Sequence, residues 1–183
     1  MDIIKITDAQ TCVAELKNSI ECGLHRVIYM VSDSKYVAVH KQTQIDETDC
    51  VSLGYSIYEE YCNGGTAVLN KGDFMFAHFG TINSSWAADF ATYFVEWLKS
   101  KGINAEFIDN DILVDNYKVC GLGITRYGRI DYTGGFIGIN TNLAHIQNLC
   151  KKPMKKIPKG LSEYGITTEE IEEMFLNFCS NKL

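Results

Sequence analysis

The chain has 183 residues, 46% of them apolar and 22% charged, which suits one folded domain with a real core and argues against intrinsic disorder. The formal net charge is −6 and the pI about 5.2, so neither nucleic acid nor an anionic membrane is an expected partner, because phosphates need clustered cations. No run approaches the roughly 20 apolar residues of a membrane helix, and Met1-Asp2-Ile3-Ile4-Lys5 does not read as a signal peptide.

In chain order, Ala9 to Cys22 has helical spacing, with Cys12, Val13, Leu16 and Ile20 on one face and Gly23 placed to end it. Arg26–Val31, Tyr36–Val39 and Tyr55–Tyr58 read as strands. Thr66–Leu69 and Phe74–Phe79 are two more, and Asn70-Lys71-Gly72-Asp73 between them is a hairpin signal. The clearest helix starts at Ser84 or Ser85 and carries Trp86, Phe90, Phe94, Trp97 and Leu98, with Gly102 closing it. Its aromatic stripe is what burial against a sheet produces.

Ala105–Ile108, Ile112–Val114 and Tyr117–Gly123 are short strands, with Asp115-Asn116 as the turn between the last two. Gly135–Ile139 is a strand whose glycines admit close backbone approach. Leu143–Leu149 makes a short helix, Lys151 to Lys159 a loop holding both prolines, and Thr167 with Glu170 a capping box for a last helix with Ile171, Met174, Phe175 and Phe178 inward. Strands come in hairpins rather than in βαβ alternation. That predicts an α+β fold with a mainly antiparallel or mixed sheet packed with helices, in a single domain over residues 1–183 without a C-terminal accessory domain.

Seven cysteines occur, at 12, 22, 50, 62, 120, 150 and 179, with no CxxC pair and no Cys/His ligand spacing. They point to a reducing cytoplasm with free thiols, each a small buried apolar residue by default. His25, His40, His78 and His145 show no ligand spacing either.

Two segments carry candidate chemistry. Asn63-Gly64-Gly65-Thr66-Ala67-Val68 puts adjacent glycines before a strand, where a ligand can take backbone amides, although a tight turn is the ordinary explanation of such a pair. Asp109-Asn110-Asp111 leads to Tyr117-Lys118-Val119-Cys120-Gly121. Carboxylate and amide oxygens there suit Mg²⁺ or a phosphate held through it. Strand alternation places Lys118 and Cys120 on one face. A lysine facing inward needs an anionic partner, and a surface lysine flanking a turn is the plain alternative.

The ordered set of Gly64-Gly65-Thr66-Ala67-Val68, Gly72-Asp73-Phe74, Asn110-Asp111-Ile112-Leu113, Lys118-Val119-Cys120-Gly121 and Gly135 through Asn140 resembles the lipoate-protein ligase family, related to biotin ligases. The resemblance runs from about Tyr36 to Phe178. It implies activation of lipoate or octanoate by ATP and Mg²⁺ to an acyl-adenylate, followed by transfer to a lysine of a lipoyl-domain acceptor protein. The family's lysine matches Lys118. By the same resemblance Asn63, Gly64, Gly65, Thr66 and Ala67 shape the acyl and nucleotide pocket with Cys120 and Gly121, while Asn110 and Asp111 lie near phosphate, with Asp111 toward the metal.

This sequence departs from the family in four places. Glu60 and Tyr61 stand where an arginine pair is usual, Thr66 replaces a third glycine, Gly134 replaces a histidine and Cys120 replaces Ser or Ala. A glutamate in place of an arginine predicts weaker ATP binding. Two further readings follow: an ATP-independent octanoyl- or lipoyltransferase using Cys150 and Lys118, with Lys151 and Lys152 lowering the thiol pKa, and a non-catalytic binding protein on a degenerate ligase fold. The basic run Lys151, Lys152, Lys155, Lys156 and Lys159 is a solvated loop or a contact for an acidic lipoyl domain or a phosphate.

Overall fold

The computed structural model describes residues 2–39, 45–59, 66–82, 84–151 and 154–182. Its elements are β1 (Asp2–Ile6), α1 (Ala9–Cys22), β2 (Arg26–Val31), β3 (Tyr36–Val39), α2 (Glu47–Ser52), β4 (Ser56–Glu59), β5 (Ala67–Leu69), β6 (Phe74–Thr81), α3 (Trp86–Ser100), β7 (Ala105–Ile108), β8 (Asp111–Val114), β9 (Tyr117–Tyr127), β10 (Ile130–Ile137), α4 (Leu143–Leu149), a 3₁₀ turn (Leu161–Tyr164) and α5 (Thr168–Lys182).

Helix ends follow local chemistry. The Asp8 carboxylate accepts the Thr11 N–H at 2.8 Å to start α1, and Gly23 ends it at φ 64°, where a residue without Cβ is unstrained. The expected capping box is present at α5. Glu170 N–H donates to Thr167 Oγ1 at 3.2 Å, and Thr167 N–H donates to Glu170 Oε2 at 3.0 Å. No helix among the described residues is long and apolar enough to cross a membrane.

The strands form two sheets. The larger runs β1-β2-β6-β10-β9-β8-β7 and the smaller β4-β3-β5. β1 with β2 and β3 with β4 are parallel, and the other pairs are antiparallel. The mixed α+β architecture is therefore as expected. Each parallel pair needs a crossover: α1 joins β1 to β2, and α2 lies between β3 and β4.

Three local expectations are corrected. β1, α2 and the 3₁₀ turn were not anticipated; α2 is six residues long with only Cys50 buried, too little for a periodic signal. The β9–β10 hairpin is longer than the expected strands, turning at Gly128 with φ 60°. The segment from Asn70 to Asp73 is a turn but not a hairpin, because β5 pairs with β3 while β6 lies between β2 and β10. Asp73 holds the chain at this change of sheet. Its carboxylate accepts the N–H groups of Asn70, Ile139 and Asn140, each at 2.7 Å.

The core has three parts. On one face of the large sheet, Phe74 and Phe76 meet Trp86, Phe90 and Phe94 of α3 and Phe175 and Phe178 of α5. On the other, Met75, Ala77 and Phe79 meet Cys12 and Leu16 of α1 and Tyr36 and Ala38 of β3. The alternate residue Val37 turns to a third cluster, with Tyr55, Cys50, Ile146 and Leu149. The small sheet thus packs against the second face of the large one, and beyond that contact the two leave a cleft.

Candidate active site

The site is built on the β8–β9 hairpin. Its turn residues Asp115 and Asn116 have φ 49° and 69°, a left-handed conformation that Asp and Asn tolerate better than other side chains. Asp109 and Asn110, at φ 53° and 64°, make the same kind of turn between β7 and β8. Leu113 pairs with Lys118, but the next pair is Ile112 with Cys120. Val119 is therefore an extra residue, a β-bulge. The bulge reverses side-chain parity. Lys118 and Cys120 do not share a face as alternation predicts. Cys120 turns into the core with Ile112 and Ile137, and Gly121 lies on the Lys118 face, where an added Cβ would stand 2.7 Å from Lys118 Nζ.

Lys118 is fixed at both ends. Its N–H donates to the Ile157 carbonyl at 2.8 Å, and its own carbonyl accepts the Lys159 N–H at 3.0 Å. Its ammonium pairs with Asp111 Oδ1 at 2.8 Å and lies 5.6 Å from the Phe136 ring centroid. The other carboxylate oxygen, Asp111 Oδ2, is 3.0 Å from Lys156 Nζ. Lys156 in turn donates to the Ile108 carbonyl at 3.0 Å and is 3.9 Å from Asp109.

The cleft has two chambers. The larger, about 550 Å³, is lined by Val68, Ile146, Cys150, Met154, Lys155 and Lys156 among others. The smaller, about 380 Å³, is lined by Ala38, Leu69, Met75, Tyr132, Gly134 and Gly121 among others. Thr66, Asp109, Asp111, Lys118 and Phe136 line both. One ammonium thus stands where the two chambers meet, the larger of them with a basic wall. Such a group can stabilise negative charge on an acyl oxygen and a phosphate together. Thr66 Oγ1 is buried there with no hydrogen-bond partner among the described residues, an oxygen available to a ligand.

Residues 16–177 match the lipoyl protein ligase A/B catalytic domain. The chain belongs to that family. No curated protein matches it in sequence. Among solved structures, it superposes on a bipartite lipoate protein ligase of an archaeal lipoylation system from Thermoplasma acidophilum with TM-score 0.82 and 12% identity, covering 98% of this chain and 82% of that one. Against lipoate-protein ligase A bound with ATP the TM-score is 0.81 at 12% identity, covering 98% and 84%. Against P. falciparum LipL1 in complex with lipoate it is 0.78 at 14% identity, covering 100% and 63%.

Within this ligase-family fold, the expected site residues divide. Lys118, Asp111 and Thr66 meet at the junction, and Ala67, Asn110 and Gly121 line the smaller chamber. Asn110 also fastens the turn, its carbonyl accepting the Leu122 N–H at 2.8 Å. Cys120 lines neither chamber; it is fully buried and burial pushes its thiol pKa up. Asn63, Gly64 and Gly65 lie outside the described residues, as do Glu60 and Tyr61. Cys150 is in the wall of the larger chamber, where burial pushes its thiol pKa up rather than down; Lys152, one of the two cations expected to lower it, lies outside the described residues.

The metal expectation at Asp111 meets a different arrangement. Both carboxylate oxygens already have an ammonium within 3.0 Å, and no cluster of three metal-type side chains exists among the described residues. The expected close approach at the late glycines is real. A Cβ on Gly134 would strike the Tyr132 hydroxyl, and one on Gly135 would come within 2.8 Å of Leu122 Cδ2. Lys156, Phe136 and Tyr132 were not foreseen in the site. Lys156 had a signal, the basic run, but nothing in the sequence tells which of those lysines turns inward.

Proposed function

We propose that this chain activates a medium-chain acyl group, lipoate or octanoate, with ATP and transfers it to a lysine of a lipoyl-domain acceptor. The observation that carries this reading is the Lys118 ammonium at the junction of two chambers. The smaller chamber, walled by Ala38, Leu69, Met75 and Phe136, suits an acyl chain with its carboxylate toward Lys118. The larger, with Val68, Ile146, Met154, Lys155 and Lys156, suits a base against apolar side chains and phosphates against ammonium groups. Lys118 would then stabilise charge on the acyl oxygen and on the α-phosphate in both half-reactions. Mg²⁺ enters this reading only as the nucleotide's own counter-ion. The six described cysteines form no disulfide with one another, which fits a reducing compartment such as the cytoplasm.

The transferase reading has less support, because burial pushes the Cys150 thiol pKa up, away from the thiolate that a nucleophile needs. The test is mass spectrometry of a lipoyl domain incubated with the protein and lipoate, with and without ATP-Mg²⁺. Acylation that requires ATP and disappears in Lys118→Ala supports the ligase. Acylation from an acyl-carrier donor without ATP supports the transferase. No acylation under either condition removes the catalytic reading.

A further inference from the structure

We propose that Lys156 is a positioning residue that holds Asp111, so that Lys118 can release this carboxylate and take an anionic group of the substrate. The inference rests on the acyl-activation reading and names a part of its machinery that the sequence did not single out.

The geometry is a three-member chain, Lys118–Asp111–Lys156. Each carboxylate oxygen has its own ammonium, at 2.8 Å and 3.0 Å. The three side chains are 27%, 16% and 24% exposed respectively, so water does little to replace a lost partner. With Lys118 as its only partner, Asp111 would neutralise the catalytic ammonium. An arriving carboxylate or phosphate would meet a carboxylate of like charge, and displacing it would strand Asp111 half-buried and unpaired. With Lys156 present the three groups sum to one positive charge, and Asp111 keeps an ammonium when Lys118 turns to the ligand.

Lys156 does not depend on Lys118 for its own position. Its Nζ donates to the Ile108 carbonyl at 3.0 Å, with Asp109 at 3.9 Å. The next residue, Ile157, accepts the Lys118 N–H. One segment therefore holds the backbone of Lys118 directly and its side chain through Asp111. Both lysines line the larger chamber.

The test is calorimetry with octanoate and the uncharged octanamide, on the full chain and its Lys156→Met, Lys156→Arg, Asp111→Asn and Lys156→Met/Asp111→Asn variants. Lys156→Met should weaken octanoate at least tenfold and leave octanamide within twofold. Lys156→Arg should retain octanoate binding, and the added Asp111→Asn should recover it, since no carboxylate then competes for Lys118. Equal weakening of both ligands, or no weakening, overturns the proposal.

A second measurement needs no ligand. Lys118→Met and Lys156→Met each leave Asp111 one ammonium, and the double variant leaves none. The urea midpoint of the double variant should therefore fall by more than the sum of the singles, and strict additivity overturns the proposal. If the unaltered chain binds no octanoate, the acyl reading fails, and this cycle still decides whether Lys156 and Lys118 share Asp111.

Discussion

Gly121 and Lys118 face each other across the bulge at Val119, so closely that a methyl group on Gly121 would lie 2.7 Å from the lysine Nζ. Gly121→Ala should push the ammonium off its position beside Asp111. Misplacement by about 1 Å can cost around a hundredfold in rate, and we expect ATP-dependent acylation to fall by about that factor. The melting temperature should stay within a few degrees, because Gly121 faces the chamber and not the core. Normal turnover by Gly121→Ala would mean that the position of Lys118 is not critical.

Cys150 gives the cleanest separation between ligase and transferase. Its thiol is raised by burial and is a poor nucleophile near neutral pH. Cys150→Ala removes wall volume from the larger chamber only, so ATP-dependent acylation should fall less than tenfold. Complete loss of activity, with a trapped thioester at Cys150 in the unaltered protein, would reinstate covalent catalysis.

His78 should make stability depend on pH. It is buried, and its ring stacks on Trp86 with centroids 4.6 Å apart and planes at 4°. Its Nδ1 has no hydrogen-bond partner among the described residues. Burial first, and then nearby His25, push its pKa from 6.5 down to about 4. Below pH 6.5 the unfolded chain binds a proton that the folded ring refuses until about pH 4. Unfolding then takes up a proton, and stability falls across that window, by about 3 kcal/mol in full. Urea unfolding at pH 7.5 and pH 5 should show the drop, and His78→Phe, which keeps the stack, should flatten it. An equal slope in both proteins would assign the pH dependence elsewhere.

Asp73 should be the most costly polar residue to remove. It is 1% exposed and is the acceptor for three backbone N–H groups from two separate segments. Asp73→Ala leaves all three without it, at about 1–3 kcal/mol each. We expect a loss of at least about 3 kcal/mol in the urea-unfolding free energy, together with faster hydrogen exchange at Ile139 and Asn140. Unchanged exchange there would show that the turn before β6 does not hold that loop.

Much of the fold was legible because its signals are local. α1 and α4 have the bounds that spacing predicted, and the Thr167–Glu170 box caps α5. The strands β2, β3 and β7 also match, since β-branched and aromatic runs between turn residues need no partner to be recognised. The short α2 and the edge strand β1 carry too few buried side chains to stand out. Pairing was less legible: Asn70–Asp73 looks like any hairpin turn, and only Asp73's bonds to Ile139 and Asn140 explain why the chain leaves one sheet for the other.

The site divides in the same way. Lys118, Asp111 and the neighbouring glycines stand in a recognisable order along the chain, because spacing along one hairpin is a property of the covalent sequence. Which side each residue presents was settled only in three dimensions. One extra residue at Val119 turned Cys120 into the core and brought Gly121 under the ammonium. Lys156 reached Asp111 from a segment forty-five positions away. A bulge and a long-range ion pair leave no periodic trace in sequence, since both depend on where other strands and loops happen to lie.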